Sequence, residues 1–138
     1  IDYRAFNECS SLVKIILPES ITEISEYAFQ GCSLLQQINI PNSITEIEHS
    51  TFHGCSSLVK IILPESITEI GWQAFYHRSS LLHVYLPNQL QTIQGDAFYE
   101  CSSLSIIAIP DHVTIDPDCF EECTVINQVQ QQLNLPGR

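Results

Sequence analysis

Basic residues are scarce in this chain. Its 138 residues include five Lys and Arg together against 16 Asp and Glu, which gives a formal net charge of −11. A surface of that sign repels phosphate backbones and anionic membranes, so nucleic-acid binding is not expected. A basic partner, or divalent cations, would be electrostatically compatible with the chain.

Long apolar runs are missing as well. No segment approaches the run of about 20 apolar residues that crosses a bilayer. Residues 1–4 do not show the basic and then apolar pattern of a signal peptide. Met is also absent, so we expect a mature form or a fragment of a longer array. Hydrophobic residues still make up 44% of the chain, enough for the core of one domain.

What the chain does have is a repeat of 23 residues. Leucine, proline and phenylalanine each recur at this step, and only the last step of the phenylalanine series is one residue shorter. The phenylalanines are Phe6, Phe29, Phe52, Phe75, Phe98 and Phe120. A period of 23 lies inside the range of roughly 20–29 residues for leucine-rich repeats and is too short for two-helix repeats.

Each repeat predicts two strands and a turn. Within residues 12–17, Ile15 and Leu17 point one way and Ile16 the other, as strand alternation requires. Pro18 ends the strand because it has no N–H to donate. Residues 20–24 are β-branched and suit a second, shorter strand. Residues 26–31 are long enough for a single helical turn. The left-handed exit from such a turn suits Gly31 and Gly54.

Stacking is needed to bury the roughly eight inward side chains of each repeat, and coils about 4.8 Å apart achieve it. The predicted fold is a β-dominated leucine-rich repeat solenoid of the α/β horseshoe type. Its parallel sheet lines the concave side, with second strands and single helical turns on the convex side. We predict one domain over 1–138, about five and a half repeats. Residues 125–134 are predicted to form a short helix, within a C-terminal cap and tail at 125–138.

The pattern A-F-x-x-C-S-S-L-x-x-I-x-L-P-x-S-I-T-x-I resembles the BspA-like class of leucine-rich repeats, and the resemblance covers residues 1 to about 125. It implies a right-handed solenoid used for protein binding. It also implies a cell-surface or secreted location, since many members are surface antigens or adhesins of bacteria and unicellular eukaryotes. Family members share no catalytic residues, so the resemblance implies neither an active site nor a cofactor.

The cysteines follow the repeat. Five share one position, which Arg78 occupies in the remaining coil, and Cys119 takes the position that Ala holds in most coils. Stacked cysteines would lie within disulfide range, but every adjacent pair would compete, so a ladder of buried thiols is favoured. Cys119 and Cys123 are one loose pair, whereas structural zinc needs four converging ligands. No metal site is therefore predicted, and cysteine usage leaves the redox compartment open.

Catalytic side chains do not converge in the sequence. No glycine-rich phosphate loop is present, and Glu121 and Glu122 are adjacent, so their side chains are expected to diverge. The histidines occupy five different repeat positions, namely His49, His53, His77, His83 and His112. We therefore predict that the chain is not an enzyme.

One row of acids is repeated, at Glu23, Glu46 and Glu69. A cation-binding ladder and a solvated acidic edge are both compatible with it. The edge is favoured, because calcium needs six to eight oxygens around one point.

The outward positions of the main strands predict the binding surface. They are apolar for an exposed strip, which is typical of an interaction site, although strand propensity alone also places Val and Ile there. The predicted ligand-binding residues are Lys14, Gln37, Lys60, Ile62, His83, Tyr85 and Ile106. The predicted function is a non-enzymatic interaction module that binds a protein or surface glycan. The alternative is a structural spacer or coat repeat without a ligand of its own.

The fourth coil, counted in steps of 23 from residue 2, departs most from the repeat pattern. Trp, Tyr and Arg are enriched in binding hot spots, and this coil contains all three types. His83 and Tyr85 are the first candidates because both lie on the main strand. Drift within one repeat is the alternative. Residues 9–24 and 55–70 are identical, including outward positions that packing does not dictate, which indicates a recent duplication of two repeats.

Overall fold

The computed structural model describes residues 1–77 and 80–123. Strands of two or three residues are its only regular elements within those ranges. Those of the main row are β1 (Lys14–Ile15), β2 (Gln37–Ile38), β4 (Lys60–Ile62), β6 (His83–Tyr85) and β8 (Ile106–Ile107). Those of the second row are β3 (Glu46–Ile47), β5 (Glu69–Ile70), β7 (Thr92–Ile93) and β9 (Thr114–Ile115).

Successive coils pair in parallel and in register. In the second row the order is β3-β5-β7-β9, so every strand bonds the strand one coil further along. In the main row β1 pairs with β2, and β4, β6 and β8 pair in that order. Lys60 lies opposite His83, and Ile62 opposite Tyr85. The predicted solenoid with parallel sheets is therefore confirmed. We number the coils 2–24, 25–47, 48–70, 71–93 and 94–115.

The predicted helical turn is wrong. No helix occurs among the described residues, and residues 25–32 form consecutive tight turns. Amides at alternate positions bond back three residues, as Ala28 does to Ser25. The amides between them bond the next coil, where Phe29 N–H donates to the Thr51 carbonyl at 3.0 Å. The left-handed φ of +59° at Tyr27 breaks the helical path and turns these amides outward.

Glycine supports the end of this turn as predicted. Gly31 and Gly54 both have left-handed backbones, with φ of +76° and +85°. A Cβ on Gly54 would lie 3.0 Å from the backbone nitrogen of Gly31. Glycine at this position therefore permits close stacking of coils two and three as well as the turn itself.

A phenylalanine column runs through the core. Neighbouring rings of Phe29, Phe52, Phe75 and Phe98 are stacked within 10° of parallel, with centroids 5.2–5.7 Å apart. These four rings are fully buried. Because each ring rests on the ring of the coil before, a coil obtains its core from its neighbours.

The six cysteines are free thiols, and all but Cys9 are buried. Their role in packing is regular. Cys32 donates its Sγ–H to the Phe6 carbonyl at 3.1 Å, and Cys55 donates to Phe29 at 3.1 Å. Burial raises the pKa of Cys32 to about 11 and that of Cys119 to about 12. The thiols of Cys32 and Cys119 therefore stay protonated, and each donates to a carbonyl of the preceding coil.

The predicted C-terminal helix at 125–134 and the tail that follows lie outside the described residues. Within the described ranges, no helix has the length and apolar character needed to cross a membrane.

Candidate functional site

The outward side chains of the main strands form one continuous surface, the concave strip. Strand alternation produces it, because an inward residue such as Ile61 is 1% exposed whereas Ile62 beside it is 59% exposed. Its described positions are Val13, Lys14, Ile16, Gln36, Gln37, Asn39, Val59, Lys60, Ile62, Leu82, His83, Tyr85, Ser105 and Ala108.

Large apolar side chains reach solvent along this strip. Ile16 is 66% exposed and Tyr85 46% exposed, and Val13, Val59 and Leu82 are also exposed. Single exposed apolar residues are ordinary, but a contiguous set marks a candidate interaction surface. The concave strip is such a set.

A groove of about 610 Å³ opens in the strip across coils one to three. It lies where the main sheet is interrupted, since β2 and β4 do not pair although every other neighbouring pair of the row does. Ile16 and Ile62 line its two ends, and the floor belongs to coil two. The groove thus occupies the break in the sheet.

On one side of this groove, Asn39 joins coils one and two beyond the end of the paired strands β1 and β2. Its side-chain oxygen accepts the Leu17 N–H at 2.6 Å, and its side-chain nitrogen donates to the Leu17 carbonyl at 2.8 Å. At the equivalent contact between coils three and four, Leu63 N–H donates to the backbone carbonyl of Tyr85 at 3.1 Å. An amide side chain therefore performs the work of a backbone hydrogen bond.

The structure brings some of the predicted site residues together. Gln37, Lys60 and Ile62 line the groove, and Lys14 is exposed on the strand beside it. His83 and Tyr85 lie one coil further along, with ring centroids 6.3 Å apart. Ile106 lies opposite His83 in the strand register, and its side chain is outside the described structure.

Other groove residues were not among the predicted ligand-binding positions. Of these, Ile16, Gln36, Asn39 and Val59 are outward positions of the predicted binding surface. The residues that the sequence did not place on that surface are Ile38, Ile40, Asn42 and Pro64. The available signal was the sequence of coil two, whose amides at 36, 37 and 39 replace the Val, Lys and Ile of its neighbours.

Charge on the strip is opposite in sign to the net charge. The chain has two lysines, Lys14 and Lys60, and both lie on the strip. Within the described structure neither lysine forms an ion pair, since the single pair found joins His77 and Glu100. The carboxylate of Glu19, which follows the strip in sequence, accepts a hydrogen bond from the Asn42 N–H at 2.9 Å.

The acidic row behaves differently from the strip. Glu48 lies beside Glu46, and burial, a hydrogen bond to Glu46 and the nearby charges of Glu26 and Glu23 raise its pKa to about 7. Glu69, one coil on, instead accepts a hydrogen bond from Gln94. Among the described residues no group of three or more His, Cys, Asp or Glu is arranged to hold a metal ion.

The turn side of the coils carries a second set of aromatic contacts. Tyr27 and His49 share a hydrogen bond of 3.2 Å, and the His49 ring meets the Trp72 ring edge-on at 4.5 Å. Sequence positions did not reveal this row, because its members come from adjacent positions in successive repeats. These contacts explain Trp72 as packing between coils.

Comparison with known proteins decides the family. The family model for the BspA-type leucine-rich repeat region matches residues 1–127 in six copies. This chain belongs to the BspA-type leucine-rich repeat family. No curated protein matches it significantly.

Solved structures of bacterial leucine-rich repeat proteins are similar to this BspA-type chain. A T. pallidum leucine-rich repeat protein is 30% identical, with a TM-score of 0.83 over 98% of this chain and 76% of that one. A Faecalibacterium prausnitzii leucine-rich cell surface protein is 32% identical, with a TM-score of 0.75 over 86% of this chain and 30% of that one. The pneumococcal vaccine antigen PcpA is 27% identical, with a TM-score of 0.69 over 80% of this chain and 28% of that one.

Most rows of identical residues in this repeat family are explained by packing between coils. BspA-type repeats and their structural neighbours are non-enzymatic repeat folds. The Phe column and the buried thiols are accounted for by the stacking of coils. Candidate function in this BspA-type chain therefore lies at exposed positions that coil stacking does not explain. Among the described residues, the concave strip contains most of the large apolar side chains that are exposed.

Proposed function

We propose that this chain is a non-enzymatic interaction module whose concave strip binds a protein or a surface glycan. The observation that carries the proposal is the exposure of large apolar side chains around an open groove of about 610 Å³. A partner that covers Ile16 and Ile62 removes their apolar surface from water. This burial contributes a hydrophobic free energy of about 25 cal/mol per Å². Such burial provides affinity without any catalytic group.

The predicted binding residues divide into two parts under this proposal. Lys60 and Ile62 act with Gln37 at the groove, and His83 with Tyr85 extends the contact surface by one coil. Tyrosine supplies a large, rigid contact at low entropic cost. We propose that the groove is the centre of the interface and that the fourth coil is its rim.

A cell-surface or secreted location accompanies the proposal. It is supported by the structural neighbours, one of which is described as a cell surface protein and another as a vaccine antigen. This chain spans less than a third of each of those two proteins. The surface role is proposed for the repeat module, and the partner is left to experiment.

The test compares two exposed aliphatic residues on different faces. The array is screened against protein and glycan libraries, and each hit is measured again with Ile62→Glu and with Leu34→Glu. Leu34 is the matched control, since it is 48% exposed against 59% for Ile62 and lies off the strip. We expect Ile62→Glu to weaken binding by tenfold or more, because it places a charge at an apolar contact.

Leu34→Glu is expected to leave affinity within twofold. Equal losses for the two variants, or no loss for either, would contradict binding on the concave strip. A screen that yields no ligand sensitive to Ile62→Glu favours the alternative, a structural spacer. The identity of segments 9–24 and 55–70 supports that alternative, because duplication explains the repeated outward residues without a ligand.

A further inference from the structure

The main-strand segments contain no acidic residues, although the chain as a whole is strongly acidic. None of the 16 Asp and Glu lies in residues 12–17, 35–40, 58–63, 81–86 or 104–109, whereas both lysines of the chain do. Charges more than about 8 Å apart are largely screened at physiological salt. A partner on the strip therefore experiences the lysines more strongly than the net charge of −11.

The lysines also recur with a fixed spacing. Lys14 and Lys60 occupy the same position two coils apart, with Gln37 between them and His83 after them. Coils two and three stay stacked across the break in the main sheet, since the Phe29 and Phe52 ring centroids lie 5.7 Å apart. Two coil steps therefore place the two lysine backbones roughly 10 Å apart along the solenoid. A row of Val and Leu flanks this row on one side, and Ile16, Ile62 and Tyr85 flank it on the other.

Few extended ligands match this spacing. A polyproline II peptide advances about 9.3 Å in three residues and returns the same face to the surface. A β-strand presents one face every 6.6 Å or so, which does not match. An amphipathic helix places its apolar stripe in the centre with charges at the sides, which is the reverse of a lysine row between two apolar rows.

A polyproline II peptide fits both features. A carboxylate at every third residue would meet successive lysines, and the prolines between would cover the Val and Ile rows. An acidic glycan has the charge, and the amides of Gln36 and Gln37 could bond some of its hydroxyls. The hydroxyls that cover Ile16 and Ile62 would still lose water without a hydrogen-bond partner, which is costly. The chemistry of the strip therefore favours a peptide.

We propose that the concave strip binds an extended acidic peptide in the polyproline II conformation, with carboxylates three residues apart that pair with Lys14 and Lys60. This inference rests on the proposed function and names the class of partner. The peptide runs along the solenoid axis, across the strands, and its apolar residues occupy the groove between Ile16 and Ile62.

The experiment uses synthetic peptides and the whole chain. A labelled peptide of Pro-Pro-Glu repeats is titrated by fluorescence anisotropy, beside Pro-Pro-Gln repeats and Pro-Glu repeats of equal length. We expect measurable binding of the first, loss of binding when Gln replaces Glu, and weaker binding when acids recur every second residue. Equal binding of the three peptides would overturn the proposal, and so would binding of an oligogalacturonate in preference to Pro-Pro-Glu.

Charge-matched variants locate the contact. Lys14→Gln and Lys60→Gln are each expected to weaken binding about threefold, and the double variant about tenfold, as exposed ion pairs do. Arg4→Gln is the control: it removes the same charge at a side chain that lies over the rings of Tyr3 and Tyr27. A loss for Arg4→Gln equal to that for Lys60→Gln would also overturn the proposal.

The two proposals fail in different ways. If a library ligand depends on Ile62 while the acidic peptide does not bind, the acidic-peptide inference is wrong and the proposed function stands. If Ile62→Glu and Leu34→Glu have the same effect on every ligand, the proposed function is wrong, whatever the peptide titration shows.

Discussion

Coils one and three carry the same 16 residues in different surroundings. Segment 9–24 belongs to the first coil and segment 55–70 to the third, with CSSLVKIILPESITEI in both. In coil three the main strand has three residues and Leu58 is fully buried. In coil one the strand has two residues and Leu12 is only partly buried.

The second strand shows the same contrast. Glu69–Ile70 is a strand bonded on both sides, whereas the identical residues 23–24 are not in a strand. A segment with neighbours on both faces completes its hydrogen bonds and its core. The comparison shows that stability in this solenoid belongs to the interfaces between coils as much as to the sequence of one coil.

Among the changes that test this contrast, we expect the largest difference in stability when the same leucine is truncated in the two coils. Leu58→Ala is expected to lower the free energy of unfolding by about 3 kcal/mol, because it leaves a cavity in a fully packed site. Leu12→Ala is expected to cost about 1 kcal/mol, because Leu12 is already in partial contact with solvent. Urea denaturation followed by circular dichroism gives both values.

Equal losses for the two variants would mean that the neighbours do not determine how much each coil contributes. Non-coincident transitions monitored by different probes would show that the array unfolds in stages, and each stage would then be fitted separately.

Thiol reactivity tests the same comparison without a mutation in the core. Cys9 is exposed and Cys55 is fully buried, although the residues that follow them are identical. We expect Cys9 to be alkylated at least about a hundredfold faster than Cys55 in the native protein, equivalent to about 2.7 kcal/mol of local opening. Mass spectrometry of peptides after timed alkylation measures the two rates.

Denaturation without reductant is expected to release six reactive thiols, in line with six free cysteines. A smaller number would indicate disulfides and would contradict the buried ladder. Similar rates for Cys9 and Cys55 would show that coil three opens as readily as coil one.

How much the sequence could predict depends on how regular each feature is. The strands, their parallel order and the inward rows follow from alternation and the 23-residue period, so they are predictable from the repeat pattern. The turn is not, because its left-handed residues have no common side chain. They include Arg4, Tyr27, Ser50, Gln73 and Asp96, and this variety gives no signal of the kind that glycine gives.

The candidate site divides in the same way. The outward position of Lys60 and Ile62 follows from alternation, and the sequence predicts it. The groove lies at the break between β2 and β4 and beside the bond from the Leu17 N–H to the Asn39 side-chain oxygen. Both features depend on two coils at once. A pattern derived from one repeat cannot contain a feature that lies between repeats.

The smallest expected difference in the free energy of unfolding comes from the acidic row, and this difference depends on pH. The same glutamate of the repeated segment meets Gln94 in coil three, as Glu69, but belongs to a group of acids in coil one, as Glu23. Glu48 within that group has a folded-state pKa of about 7, above its usual value of 4.5. The ionised form is therefore disfavoured by folding, and stability present near pH 4.5 is lost as the pH rises through about 7.

Glu48→Gln should remove this dependence. We expect it to raise the free energy of unfolding by about 1 kcal/mol at pH 8, a value reduced for the solvent that screens the group, and to change it little at pH 4.5. Glu121→Gln removes one charge from an exposed site at the far end of the described coils and is the control. If the two variants stabilise equally at pH 8, the gain comes from the net charge of −11 and the local acidic group has no special role. If only Glu48→Gln flattens the pH profile, the local acidic group causes the pH dependence. The repeated glutamate then has different effects in coils one and three, because Glu23 lies among other acids whereas Glu69 bonds Gln94.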